Sequence, residues 1–132
     1  MTEMGTFRTT VAIENVSRRG TIRTLPDVLV DTGSEYSWAP RDVLASLGIV
    51  AERTQRFVVA DGRAITREIG IAMIHAGGTS APDFVVFAEA GDLVLLGARS
   101  LEGLNLRIDP MRKMLIDAGP IVTGGRSLAA SG

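Results

Sequence analysis

The chain has 132 residues, 45% hydrophobic and 22% charged, with fourteen basic and fifteen acidic side chains. This is the size and composition of one globular domain able to bury its own core. The absence of cysteine and the single histidine, His75, exclude disulfides, thiol catalysis and a Cys- or His-rich metal site, and the near-neutral charge argues against a large nucleic-acid footprint.

The first ten residues carry Glu3 and Arg8 and lack the apolar stretch of a signal peptide. The longest apolar runs, Phe84–Ala88 and Leu93–Gly97, fall far short of the roughly 18 residues expected of a membrane helix. The expectation is a cytoplasmic protein with no membrane or nucleic-acid partner. Phe7, Thr9, Val11 and Ile13 alternate at period two and predict a first strand. Ser17–Gly20 reads as a turn and Thr21–Leu25 as a returning strand. Pro26 interrupts, and Val28-Leu29-Val30 forms a compact apolar run ending at Asp31. Pro40–Leu47, stopped by Gly48, has helical spacing.

Arg56–Ala60 and Ala64–Ile74 flank Asp61-Gly62, the strongest short hairpin signal in the chain. Gly77-Gly78 marks another turn before a strand at Asp83–Ala88. Leu93–Leu96, Asn105–Ile108 and Met114–Ile116 are further strand candidates, with Ala98–Leu104 a short helix and Asp109-Pro110 a turn. The expected organisation is one domain over residues 1–119 and a disordered Gly/Ser/Ala-rich tail over 120–132.

The segment that carries chemistry is Leu29-Val30-Asp31-Thr32-Gly33-Ser34. An apolar strand delivers a carboxylate onto a tight turn. Gly33 lets the backbone approach, so its N–H can reach Asp31. Ser34 is expected to donate a hydrogen bond to the outer oxygen and favour the charged form. By itself this is also the pattern of an Asx turn at a strand end.

Four features in order resemble the retropepsin-like aspartic proteases, the single-domain, homodimeric relatives of pepsin, in a bacterial-type member. They are Asp31-Thr32-Gly33-Ser34 on its strand, Ser37-Trp38-Ala39-Pro40 through Ile49, the hairpin around Ala60-Asp61-Gly62-Arg63, and Leu93–Gly97 leading into Ser100–Leu104. Leu106–Pro110 and Met114–Ile116 resemble the closing strands. The chain departs from the retroviral members in having one glycine at the hairpin tip, and Ala98 rather than arginine directly after Gly97.

The resemblance implies a mostly β fold: a closed or partly open acid-protease barrel lobe of six to eight strands with one or two short helices. It implies an aspartic endopeptidase with Asp31, Thr32, Gly33 and Ser34 as the catalytic turn. Ala60, Asp61, Gly62 and Arg63 would be a flap over a peptide or protein substrate, beside Trp38 as a pocket residue. Such chemistry uses two carboxyls facing one water and sharing one proton. It needs no cofactor or metal. One chain supplies one signature, so the second carboxyl must come from Asp31 of a second copy on a two-fold axis.

A competing reading is a catalytically silent module of the same fold, used for dimerisation or peptide binding. Phosphate chemistry of the actin-like kinase type needs two large α/β domains, which this length cannot hold, and no Walker-type loop occurs. His75 reads as a turn or edge histidine, Arg18-Arg19 as a solvated turn and Arg53–Arg56 as a solvated strand edge.

Overall fold

The computed structural model describes residues 6–124. The chain is mostly β: β1 (Thr6–Asn15), β2 (Arg18–Asp31), β3 (Ser37–Pro40), α1 (Arg41–Ser46), β4 (Arg53–Val58), β5 (Ala64–Ala76), β6 (Thr79–Ala88), β7 (Leu95–Leu96), α2 (Ala98–Gly103), β8 (Leu106–Asp109) and β9 (Met114–Asp117). The tail expected to be disordered lies outside the described residues from position 125 onward.

The first seven strands form one sheet in the order β1-β2-β7-β3-β6-β5-β4. A further pairing of β1 with β5 returns the hydrogen bonding to its start, so six strands form a ring and β4 hangs from β5. That seam is short, running from Ala12 opposite His75 to Glu14 opposite Met73. β8 and β9 form a separate two-stranded ladder.

Alternation on β1 works as expected, with Val11 and Ile13 buried. The interruption at Pro26 is not a break between two strands. β2 runs continuously, and the stretch from Thr9 to Val11 faces the longer stretch from Leu25 to Val28. Proline cannot donate to a ladder, and the extra residue is absorbed in a bulge where Asp27 takes a φ of 56°. Because the bulge changes parity, Leu25, Val28 and Val30 share the inward face although their spacing is not strictly two.

α1 ends in a Schellman motif. Gly48, at φ 75°, donates its N–H to the Ala45 carbonyl at 2.9 Å, and Ile49 donates to Leu44 at 3.0 Å. Leu44 and Ile49 are both buried there. α2 also ends at a left-handed residue: Asn105, at φ 54°, donates its N–H to the Glu102 carbonyl at 3.0 Å. Val30, Leu44, Ile69, Ile74, Val85, Val86 and Leu96 are the largest fully buried apolar side chains. A leucine such as Leu44 in that setting contributes about 2–5 kcal/mol relative to alanine.

The Gly77-Gly78 turn is a two-residue hairpin loop with both residues at positive φ. The Asp61-Gly62 turn is longer than a two-residue loop. Gly62 donates its N–H to the Val59 carbonyl at 2.8 Å, and Val59 donates to Arg63 at 2.9 Å. The loop thus holds Ala60, Asp61 and Gly62, with Gly62 at φ 89° reversing the chain.

The seam between β1 and β5 is clasped by side chains. Glu14 is buried and accepts hydrogen bonds from the Gly20 N–H, from His75 Nε2 at 2.9 Å and from Arg19 Nε at 3.0 Å. His75 is therefore not the turn or edge residue that the sequence suggests: it lies between Ala12 of β1 and Ser80 of β6 and is a buried carboxylate's partner. The donors, the Gly20 amide foremost, pull the Glu14 carboxyl from 4.5 down to about 2. A depressed carboxyl stabilises the fold above its unfolded pKa and loses that contribution as pH falls toward the folded one. Wild-type stability, read as the urea midpoint, should decline between about pH 4.5 and 2 in part through this group. Glu14→Gln should be less stable at pH 6 and show a flatter profile through that window. A profile in Glu14→Gln as steep as in wild type would show that Glu14 carries none of it.

Candidate active site

β2 carries Asp31 out of the buried sheet onto an exposed turn. Val30, directly before it, is fully buried, whereas Thr32 and Gly33 are exposed. The Ser34 N–H donates to the Asp31 carbonyl at 3.1 Å and closes the turn. The Gly33 N–H donates to Asp31 Oδ1 at 2.9 Å, the contact that the sequence leads one to expect. A β-carbon on Gly33 would stand 3.2 Å from that same oxygen, so the small residue is what admits the carboxylate.

Ser34 does not do what the sequence suggests. Its Oγ donates to the Tyr36 carbonyl at 3.0 Å, not to Asp31. A carbonyl two residues on is close and fixed, and it competes successfully for a short hydroxyl side chain. Thr32 sits at the rim of an apolar groove of about 400 Å³ formed with Ala98, Leu101, Leu106 and Ile108.

The loop after the turn is pinned by the start of α2. The Ala98 N–H donates to the Ser34 carbonyl at 2.8 Å, and the Arg99 N–H donates to Glu35 at 3.0 Å. Gly97, directly before these contacts, lies against the backbone of Tyr36. A β-carbon there would lie 2.5 Å from the Tyr36 oxygen and 2.9 Å from the Glu35 oxygen. Its φ of −97° suits any residue, so the requirement for glycine is steric. Arg99 stacks over Tyr36 and Phe84, 5.7 and 5.8 Å from the ring centres.

Trp38, on β3, is half-buried and tilted against Phe57 of β4 at 5.1 Å. Tyr36 meets the same Phe57 edge-on at 5.6 Å. The hairpin carrying residues 60–63 therefore stands beside the loop that follows Asp31. At its exposed tip Asp61 accepts the Arg63 N–H at 3.0 Å and Arg63 Nε at 2.7 Å, and these bonds hold the Asp61 carboxyl below its ordinary range. Further down the hairpin, Arg67 grips Asp92 with two N–H groups at 2.7 and 2.9 Å. Arg67, and then the Glu89 N–H, keep the Asp92 carboxyl low despite its burial. Arg41 bridges Glu68 and Glu89 at 2.6 and 2.7 Å. The base of the hairpin is thus tied to the loop before β7, and among the described residues the tip's side-chain bonds close on the tip itself.

Three residues the sequence does not single out lie behind this loop. Ser37 and Ser100 are buried, with Oγ atoms 2.5 Å apart, and Ser100 Oγ lies 2.8 Å from Asp83 Oδ2. A hydroxyl on the inward-facing register of β3, next to Ala39, is the only trace they leave in the sequence. Among the described residues no cluster of three or more His, Asp or Glu is placed to hold a metal ion. None of the described helices is long and apolar enough to cross a membrane.

A buried strand that ends in a carboxylate gripped by the next glycine's amide, a second apolar strand entering Gly97, and a hairpin alongside form one constellation. The curated proteins contain no match to the chain. The family model described as aspartyl protease matches residues 15–99, from the end of β1 to the second residue of α2 and so across all three of those features. With well over half its length matched, the chain belongs to the retropepsin-like aspartyl protease family.

Proposed function

We propose that the protein is an aspartic endopeptidase whose attacking water lies between two Asp31 carboxyls, one from each chain of a homodimer. The observation that carries the reading is the Asp31 carboxylate, delivered by a buried strand to an exposed turn and held by the Gly33 amide at 2.9 Å. In the mechanism one carboxylate takes a proton from the water as it attacks the peptide carbonyl. The other carboxyl gives its proton to the carbonyl oxygen. Nothing covalent forms. Two carboxyls about 3 Å apart cannot both ionise, so the working pair keeps one proton.

Each chain offers one Asp-Thr-Gly-Ser turn, so two chains make one site. The exposed Thr32 beside an apolar groove supports a contact beneath the carboxyls, because such a groove gains from cover. The hairpin around Ala60–Arg63 serves as the lid, with Trp38 and Tyr36 against its strand and an extended peptide beneath it.

Asp31→Asn should keep the fold and abolish hydrolysis of a denatured protein substrate, since an amide can neither accept the water's proton nor share an acidic one. Mixing it with wild type after subunit exchange should give activity proportional to the square of the wild-type fraction. A linear dependence would mean that one chain suffices and would remove the shared site. No hydrolysis by wild type at any pH would favour the silent module.

The rate should peak on the acid side of neutrality, where the pair retains its proton. Because Ser34 spends its hydroxyl on Tyr36, Ser34→Ala should leave the acid limb of the pH profile in place. A displaced limb would return Ser34 to Asp31 in the working enzyme.

A transition-state-mimicking inhibitor should slow amide exchange at Val59–Ile65 and leave Arg67 and Glu68, already anchored, little changed. Equal protection along the whole hairpin would contradict a lid that moves at its tip.

A further inference from the structure

The polar atoms behind the Asp31 loop form a chain whose direction is set by chemistry. At one end the Gly97 N–H can only donate, and it points at Ser37 Oγ, 2.9 Å away. At the other end the Asp83 carboxylate accepts, receiving the Phe84 N–H on Oδ1 at 2.7 Å and Ser100 Oγ on Oδ2 at 2.8 Å. Between them the two serine hydroxyls lie 2.5 Å apart. With both ends fixed, one arrangement uses every proton once: Gly97 N–H to Ser37, Ser37 O–H to Ser100, Ser100 O–H to Asp83. Ser37 and Ser100 are 4% and 1% exposed and the Asp83 side chain is 12% exposed, so water is a poor substitute for any member.

The chain ties α2 to two neighbouring strands of the sheet. Ser37 opens β3, Ser100 lies in the first turn of α2 and Asp83 is on β6. α2 is the element whose Ala98 and Arg99 amides hold the Ser34 and Glu35 carbonyls. Its six residues bring little helical stability of their own, and the Arg99 guanidinium approaches Asp83 only to 3.9 Å. The serine–serine–aspartate chain links the first turn of α2 to β3 and β6.

We propose that Ser37, Ser100 and Asp83 are positioning residues for Asp31: they lock the start of α2 so that its amides hold the 34–36 loop, and with it the carboxyl, in the geometry the reaction needs. The proposal rests on the aspartic protease reading. None of the three touches the water or the peptide. Loss of the lock should therefore lower kcat and leave KM nearly unchanged, since sub-ångström misplacement of a reacting group is felt in the chemical step.

The test uses the full-length protein and four variants: Ser37→Ala, Ser100→Ala, Asp83→Asn and Asp83→Leu. Asparagine keeps an oxygen acceptor for the Ser100 hydroxyl, and leucine does not. Ser37→Ala, Ser100→Ala and Asp83→Leu should lose about tenfold or more in kcat with KM within about twofold, and Asp83→Asn should stay within about threefold of wild type. Wild-type kcat in a folded Ser100→Ala protein would overturn the proposal, as would Asp83→Asn being as impaired as Asp83→Leu. Amide exchange gives a readout that needs no turnover. The Ala98 and Arg99 amides should exchange at least about tenfold faster in Ser100→Ala, with Val85 and Val86 amides unchanged. If wild type cleaves nothing, the protease reading fails, and unchanged exchange at Ala98 and Arg99 would separately overturn the lock.

Discussion

Two stretches of backbone, residues 34–37 and 97–100, pass each other, and they come closest at Gly97. At Gly97 even a methyl group would collide with the Tyr36 carbonyl. Backbone this close must satisfy its polar groups across the crossing, and it does so with the amides of Ala98 and Arg99 and the hydroxyl of Ser37. The turn bearing Asp31 enters the crossing from one side and β7 enters it from the other. What the rest of the fold supplies is support on both flanks. Val30 and Leu96 pair in parallel and are buried together, so the two stretches arrive in fixed register.

The hairpin beside this crossing has unequal ends. Its base carries the Arg67–Asp92 fork, whose members are 20% and 13% exposed, and the Arg41 bridge to two glutamates. A two-pronged, partly buried pair is worth more than the 0–1 kcal/mol of a solvated one. Among the described residues the tip's one ion pair, Arg63 with Asp61, closes on itself. A rigid base with a free end is the mechanical requirement of a lid.

Much of this was legible in the residues because local chemistry decides it. Asp31 and Gly33 are adjacent in sequence, and so the amide-to-carboxylate contact follows from the turn. Both helices end where Gly48 and Asn105 permit a left-handed residue. The readings that failed each lost to something non-local or to a nearer competitor. Ser34 found a carbonyl before it found a carboxylate. Pro26 signalled an interruption, but β1 keeps pairing across it and turns the break into a bulge. Glu14 falls on the face of β1 opposite Val11 and Ile13 and still is buried, because β5 closes over it from 61 positions away. Ser37 and Ser100 are 63 positions apart, and no spacing rule links them.

The seam between β1 and β5 has a further consequence. It is a short ladder, three residue pairs wide, and the side-chain clasp over it is built from ionisable groups. It also sits at the far end of β1 from Asp31, whose ladder partner is Thr6. Acid that neutralises the Glu14 clasp therefore acts on the side of the ring away from the turn that carries Asp31. Resistance to acid is thus open to change at the seam without touching the turn that carries Asp31.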